Sequence, residues 1–418
     1  MTDLPPRPTV VAYTSEPPWP LDSGGRIRTY HLLAAVHAAA DLRVVCPTTP
    51  GQQTAAEVLA ARGWKLIPVA VGRRSVTGEA TKGVRAVLAG EPYVLYRRHA
   101  WPAVARTFAR VVAEARPRAV YLDHLDGALH LPAAARAGVP AVLDLHNVYS
   151  TLVRRMADEA TGAVKRSLLR REARLLAGVE AGAVRAAQAV TAVSAVEADH
   201  FRALGARTTE VIPNGVDCPS FADMPTGRGG AALEVLFLGT LSWGPNGSAA
   251  RFLAGLAPPL RRMVPGARVV IVGRDPPADV RALAGDGVEV AGGVPDVRPY
   301  LAGAAVLAVP LDAGGGTRLK ILEAFAAGLP VVSTAVGAEG IAADPARHYF
   351  RAERPEFIEA VASVLRDPAG AADRAAAARQ LARDHYDWAA IGRRMAEVVR
   401  RAAVEVPPVR SADVGPAG

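Results

Sequence analysis

The sequence predicts an α/β protein of two doubly wound, Rossmann-like domains facing each other across a cleft. Three observations carry that expectation. Short runs rich in β-branched residues alternate along the whole chain with longer alanine-rich stretches, the pattern of parallel sheets covered by helices. At 418 residues the chain is too long for one ordinary core, so two domains are the default. Glycines and other turn residues gather just after the apolar runs, at the strand ends where open α/β sheets bind their ligands.

Strands are expected at 9–13, 42–46, 65–69, 119–122, 141–145 and 189–193 in the first half, and at 234–238, 268–272, 288–291, 305–309 and 331–334 in the second. Each is a short apolar run bounded by turn residues. Between the halves, Val211-Ile212-Pro213-Asn214-Gly215-Val216-Asp217 reads as a strand running into a turn, and 224–230 is rich in Pro and Gly. The expected boundaries are 1–212 for the first domain, 213–385 for the second and 386–404 for a last, basic helix. A tail over 405–418, rich in Pro, Gly and Ser without hydrophobic period, is expected to be disordered.

Half of the residues are apolar, 21% charged and 5% aromatic, a globular composition. The formal charge of +9 favours anionic ligands, but the basic residues are dispersed and aromatics sparse, which argues against nucleic acid. Cys46 and Cys218 stand far apart, with no His or Cys at metal-ligand spacing, so a reduced cytoplasmic protein is expected. The N-terminus has no apolar leader core, and no run approaches the roughly 18 apolar residues of a membrane span. The helical stretch 162–187 carries Lys165, Arg166, Arg170, Arg171 and Arg174. That is either a solvated face or one that touches an anionic membrane surface peripherally, at the inner membrane face.

The most informative motif is Gly314-Gly315-Gly316-Thr317 running into Arg318-Leu319-Lys320-Ile321-Leu322-Glu323. It reads as a loop opening a helix between two buried strands. Glycines let the backbone approach a ligand, and first-turn amides suit an anion such as a diphosphate. Glu323 stands seven residues beyond Gly316, about 10 Å along a helix, where a carboxylate can accept hydrogen bonds from a diol. The alternative is a plain turn, with Lys320 and Glu323 as an exposed ion pair.

In the first half, Gly24 and Gly25 bring backbone amides up to a phosphate or sugar, with Arg26 and Arg28 adding charge. The spacing is not that of a dinucleotide fingerprint, which disfavours a nicotinamide enzyme. His146 ends a predicted strand, where an imidazole either bonds a sugar hydroxyl and stabilises developing charge or caps a turn. Asp123, His124 and Asp126 cluster after an earlier strand, and His124 is a candidate for the acceptor. In the second half, Gly239, Thr240 and Asn246 follow one strand, Arg274 the next and Val294 a third. There is no Asp-x-Asp metal motif, phosphate loop, Gly-x-Ser-x-Gly elbow or His-Glu-x-x-His, so neither a metal nor NTP hydrolysis is expected.

Together these residues resemble the retaining glycosyltransferases of family 4, which have the two-domain GT-B fold. The likeness spans about residues 8–400. It rests on the Gly24-Gly25-Arg26 loop, Leu145-His146-Asn147-Val148, Val193-Ser194, Ile212 through Asp217 and above all Gly314 through Gly328. The resemblance implies a nucleotide-sugar donor held mainly by the C-terminal domain, an acceptor held mainly by the N-terminal one, and a final helix that crosses back. It implies that Glu323 is the second glutamate of the Glu-x7-Glu motif and binds the ribose, that Gly316 and Thr317 meet the diphosphate, and that His146 lies near the donor sugar. The first glutamate of the pair is replaced by Gly315, and the usual loop Arg and Lys fall at Thr240 and Asn246, leaving Arg318 and Lys320 as the nearest charges.

The expected function is therefore metal-independent, cofactor-free transfer of a sugar from a nucleoside diphosphate, UDP foremost, to the hydroxyl or amine of a small or lipid-linked acceptor, in cell-envelope glycan or natural-product synthesis. His146, Arg318 and Lys320 are the expected catalytic groups. The expected donor contacts are Gly24, Gly25, Gly239, Thr240, Asn246, Arg274, Val294, Gly315, Gly316, Thr317, Leu319 and Glu323, and the expected acceptor contacts are Arg26, Asp123 and His124. Two alternatives stay open: a non-hydrolysing sugar-nucleotide epimerase, for which Asp123 and Asp126 would be the acid and base, and a non-catalytic partner that binds a nucleotide sugar.

Overall fold

The computed structural model describes residues 7–72, 75–158, 160, 162–224, 233–313 and 318–405. Gly314, Gly315, Gly316 and Thr317, most of the 224–230 segment and the tail beyond 405 lie outside them. The chain forms two compact units, Met1–Pro213 with Gly392–Gly418, and Asn214–Ile391.

The first unit runs β1 (Thr9–Tyr13), α1 (Gly24–Ala39), β2 (Asp41–Thr48), α2 (Gln53–Ala61), β3 (Lys65–Ala70), α3 (Val76–Leu88), α4 (Pro102–Ala115) and β4 (Ala119–Asp123). It continues through α5 (Leu131–Arg136), β5 (Ala141–Leu145), α6 (Tyr149–Asp158), α7 (Ala163–Ala186), β6 (Ala189–Ala192), α8 (Ala195–Ala203) and β7 (Thr209–Val211). The sheet order is β3-β2-β1-β4-β5-β6-β7, with every pair parallel. Strands β4, β5 and β6 are buried along their whole length, as a sheet covered on both faces requires. The strand order reverses between β1 and β4, which leaves a crevice beyond their carboxyl ends.

The second unit runs β8 (Glu234–Leu238), α9 (Gly244–Met263), β9 (Arg268–Val272), α10 (Ala278–Arg281), β10 (Val288–Gly292) and α11 (Arg298–Gly303). After these come β11 (Val306–Val309), α12 (Leu319–Ala326), β12 (Val331–Ser333), β13 (Phe350–Arg351), α13 (Phe357–Arg366) and α14 (Pro368–His385). Its sheet, β10-β9-β8-β11-β12-β13, is again parallel throughout and reverses between β8 and β11. The eleven expected strands are all present within two residues of their expected ends. The strand read as running into the turn at 211–217 is β7, an edge strand of three residues that ends at Val211, whereas β13, an edge strand of two residues, is too short to show a pattern and is not expected from the sequence.

The last helix, α15 (Trp388–Glu405), begins in the second unit and passes into the first at Gly392. In the first unit Arg394 donates to the Val211 carbonyl at 2.6 Å and Arg401 pairs with Glu210 at 2.9 Å, which ties the helix to β7. In the second unit Val216 N–H donates to the Tyr386 carbonyl, and Trp388 N–H donates to that of Val216. Gly215 sits against this junction: a Cβ there would lie 2.7 Å from the Tyr386 oxygen and 2.8 Å from the Trp388 ring, so the motif's glycine serves close approach. Cys46 in β2 and Cys218 after the join are both free and buried, and burial pushes both thiols up to about 12.

Beyond their ends β8, β9 and β10 continue as a ladder of loop backbones. Gly239 N–H donates to the Val272 carbonyl, Leu241 N–H to that of Arg274 and Gly273 N–H to that of Gly292. A Cβ on Gly273 would fall onto the Gly239 carbonyl oxygen, which no side-chain rotation relieves. Gly273→Ala is expected to lower stability by about 3 kcal/mol or more, measured by urea unfolding.

Candidate active site

In the first unit, the strand-end residues meet in a buried polar network. His146 follows β5 and is buried, with Nε2 3.0 Å from Asp123 Oδ1 and 3.2 Å from Asp144 Oδ2. Two carboxylates on one ring nitrogen fix the proton there, so Nε2 donates. Nδ1 has no partner among the described residues. Asp123 closes β4 and also accepts from Thr29 Oγ1 at 2.9 Å, while His124 Nδ1 lies 3.0 Å from its other oxygen. Burial works against charge on Asp123, yet the two imidazoles hold its carboxyl well below the usual range. Burial likewise opposes the imidazolium of His124, but the Asp123 charge outweighs it and raises the group to about 9.

Behind this layer lies Arg28, which is 1% exposed, paired to Asp144, which is wholly buried. Its Nη2 donates to Asp144 Oδ1 at 2.6 Å and Nε to Oδ2 at 3.1 Å, while Nη1 donates to the carbonyls of Ile212 and Pro213 at 2.8 and 3.1 Å. Tyr121 and Thr191 hydroxyls complete the Asp144 shell at 2.8 and 2.5 Å. The expectation that Arg28 lends charge to a ligand loop is therefore corrected: α1 turns it inward, onto a strand carboxylate. Arg26 faces outward, pairing with Glu16 at 2.5 Å and Asp22 at 2.9 Å. Gly24 and Gly25 open α1 after the Ser23 cap, and a Cβ on Gly25 would stand 3.6 Å from His124 Nε2.

One ligand atom from each of Asp123, His124 and His146 lies within 4.8 Å of the others, a set of donors with the spacing a metal ion needs. Those atoms already serve one another by hydrogen bond and charge. Asp126 accepts from Tyr13 Oη at 2.9 Å, and burial raises its carboxyl.

The second unit assembles its own cluster at the β8/β11 switch point. Asn246, in the first turn of α9, donates through Nδ2 to the Thr240 carbonyl at 2.9 Å and accepts from Lys320 Nζ at 2.9 Å. The ammonium also lies 4.3 Å over the Phe237 ring. A Cβ on Gly239 would crowd both Asn246 Nδ2 and Lys320 Nζ, so Gly239, Thr240, Asn246 and Lys320 form one packed group. Burial, then the charge of Arg318, lowers Lys320 to about 7. Arg318 is the buried N-cap residue of α12, with Nη2 3.4 Å from the Val336 carbonyl, and Leu319 packs on the core. Arg274 lies along Gly293, and Val294 packs on the core one strand further on.

Glu323 stands one turn into α12. Its carboxylate has no hydrogen-bond partner among the described residues, and burial, opposed by Lys320, raises it to about 7. The exposed Lys320–Glu323 pair considered from spacing is not what forms, since Lys320 donates to Asn246 instead.

Two sequence profiles divide the chain close to the boundary between the two units. The one described as Glycosyltransferase Family 4 matches residues 23–219, and the one described as Glycosyl transferases group 1 matches 232–367. The chain belongs to these glycosyltransferases.

Solved structures of such GT-B glycosyltransferases share its fold. Anabaena HepE, crystallised with UDP-glucose, superposes at a TM-score of 0.65 and 15% identity, over 94% of this chain and 100% of that one. Sucrose-phosphate synthase from Thermosynechococcus elongatus gives 0.66 and 18%, over 94% and 99%. WaaG, a glycosyltransferase of lipopolysaccharide biosynthesis, gives 0.60 and 18%, over 93% and 99%. No curated protein sequence matches the chain.

Two residues of this glycosyltransferase's sites escaped the sequence reading. Asp144 interrupts an apolar strand, and a buried carboxylate demands a cation, which was the available signal for Arg28. Arg354 donates to the Pro310 carbonyl at 3.2 Å and Ser248 Oγ at 3.0 Å and pairs with Asp312 at 2.7 Å, fixing the exit of β11 towards α12. Nothing local announces it.

Replacing Arg28 with Met strands a buried carboxylate and is expected to cost about 3–5 kcal/mol in chemical denaturation, with Arg28→Met/Asp144→Asn less damaging than the single change. A folded Glu323 keeps its proton to about pH 7, against 4.5 for an ordinary glutamate, so wild-type stability falls as pH rises through that window. The Tm of Glu323→Gln relative to wild type is expected to climb from pH 4.5 to 7 and level off above, by scanning calorimetry.

Proposed function

We propose that this glycosyltransferase moves a sugar from UDP, with retention of anomeric configuration and without a metal, to a hydroxyl or amine of a small or lipid-linked acceptor in the cytoplasm. Glycan or natural-product synthesis is the setting this chemistry suits. The observation that carries the reading is Glu323: a half-buried carboxylate with no partner among the described residues, one turn into α12 at the switch point of the second sheet. Vicinal ribose hydroxyls supply the donors it lacks. HepE, of the same fold, has been crystallised with UDP-glucose, with UDP and with UDP and glucose.

In this reading Lys320 and Arg318 at the start of α12 meet the diphosphate, whose charge favours the ammonium form of Lys320. Gly315, Gly316 and Thr317 supply backbone amides, and Gly239, Thr240, Arg274 and Val294 border the nucleotide. Asn246 orients Lys320. The bond from the anomeric carbon to the phosphate oxygen breaks, the electron pair leaves with UDP, and the acceptor's oxygen or nitrogen bonds the same carbon. The acceptor proton passes to the departing phosphate. His146, its Nε2 anchored, is assigned to the reacting sugar. Arg26 and His124 are assigned to the acceptor, while Asp123 orients both imidazoles.

The epimerase alternative would use Asp123 and Asp126 as acid and base. Asp123 is already held by His146, His124 and Thr29, and Asp126 by Tyr13, which weighs against it.

Loss of Glu323 removes two charge-assisted hydrogen bonds in this reading, so Glu323→Ala is expected to weaken UDP binding about 10- to 100-fold by calorimetry. Unchanged affinity would remove the ribose contact. A mass-spectrometric donor panel is expected to show UDP release only with acceptor present. Nucleotide binding without turnover of any donor and acceptor would leave a binding partner in place of an enzyme.

A further inference from the structure

The strand-end network of the first unit holds more buried negative charge than fixed positive charge. Asp123, Asp126 and Asp144 are 0–4% exposed, and the one permanent cation paired with any of them among the described residues is Arg28. Buried carboxylates demand cations, so the rest of the balance falls to protons on imidazoles or to an ion. Asp123 and His124 leave the end of β4 side by side. His146 follows β5, its parallel neighbour, and the two rings lie 3.7 Å apart at 42°. No spacing in the sequence announces this set, because the sheet assembles it.

His124 is the telling member. Its Nδ1 is buried and lies 3.0 Å from Asp123 Oδ2, yet it makes no hydrogen bond, so the direction in which the ring nitrogen bonds misses that oxygen. An ion with bonds of about 2.0–2.1 Å to both atoms would stand roughly 45° off the line between them. The same misalignment that spoils a hydrogen bond is what a metal bridge requires. His146 Nε2 shares one proton between Asp123 Oδ1 at 3.0 Å and Asp144 Oδ2 at 3.2 Å. Without that proton Asp144 keeps Arg28, Tyr121 and Thr191 as donors, and Asp123 keeps Thr29. Two imidazoles and a carboxylate, with one donor atom of each within 4.8 Å of the others, are a ligand set for zinc, cobalt(II) or nickel(II). The His124 side chain is 26% exposed, which gives an ion its way in.

We propose that Asp123, His124 and His146 bind one divalent transition-metal ion of the zinc class, and that this ion switches transfer off. The inhibition rests on the sugar-transfer reading, whereas the binding does not. With the ion on Nε2, the His146 proton moves to Nδ1, and the nitrogen left for the sugar turns from acceptor to donor. A proton carried by His124 on Nδ1 leaves to solvent as the ion enters. Asp123 then serves the ion and no longer orients the rings by accepting from them.

The test is titration of cobalt(II) chloride into the tag-free full chain after chelator treatment, read by visible absorption, with zinc chloride titrated in parallel by calorimetry. One ion per chain and the absorption band of four-coordinate cobalt are expected. His124→Gly removes a ligand and relieves a backbone φ of +61°, so it is expected to stay folded in a melting curve. Zinc affinity is expected to drop by about 100-fold or more in that variant and in His124→Asn, a second residue that tolerates positive φ. In the wild type, zinc is expected to slow transfer by about tenfold or more, and chelator to restore it. No stoichiometric cobalt band, or an affinity unchanged in both variants, leaves an adventitious ion only and overturns the site. A saturating ion that leaves the transfer rate unchanged overturns the switch. A band that depends on His124, in a protein that transfers no sugar, upholds the site and counts against the sugar-transfer reading alone.

Discussion

The ion pair of Arg28 and Asp144 is the constraint on which the first unit depends. It joins α1 to β5, and through Asp144 it reaches Tyr121 on β4 and Thr191 on β6. Its remaining donors hold the carbonyls of Ile212 and Pro213, where the chain leaves the unit. Removing both charges from water costs several kcal/mol per ion, and attraction offsets that only when every lone pair and proton has a partner. Here the guanidinium donates to both Asp144 oxygens and to two backbone carbonyls, and the carboxylate also accepts from Tyr121, His146 and Thr191. The pair therefore acts by specifying one arrangement, and His146 inherits its orientation from it.

The second unit solves a different problem, the placing of a cation beside a loop that carries none. The stretch after β8, from Gly239 to Asn246, holds no charged residue. Asn246 instead ties Lys320 to the Thr240 carbonyl, so the cation comes from α12 and is steered by the loop. Burial brings both Lys320 and Glu323 to about 7 from opposite sides, an arrangement a charged ligand can tip.

Much of this was legible in the sequence because the sheets announce themselves locally. Strands such as β4 and β5 are apolar runs with turn residues at their ends, and the family motifs sit at those ends. Long-range electrostatics was not legible in the same way. Arg28 and Asp144 are 116 residues apart, and only the incongruity of a carboxylate within Ala-Val-Leu-Asp-Leu pointed to a buried cation. Arg354 reaches 106 residues back to Ser248 with no sequence signal at all. Of the site, Glu323 and His146 were named from position. The lock on His146 Nε2 and the turning of Lys320 towards Asn246 required coordinates, because rotamers follow from packing.

The two thiols have a consequence for handling and evolution of the chain alike. With both groups pushed to about 12, on the order of one molecule in 10⁵ carries a thiolate at neutral pH, and that form alone attacks oxidants or disulfides. Cys46 is wholly buried and cannot be reached without opening the structure around it, while Cys218 keeps a little exposure. Thiol oxidation at Cys46 is thus coupled to local unfolding.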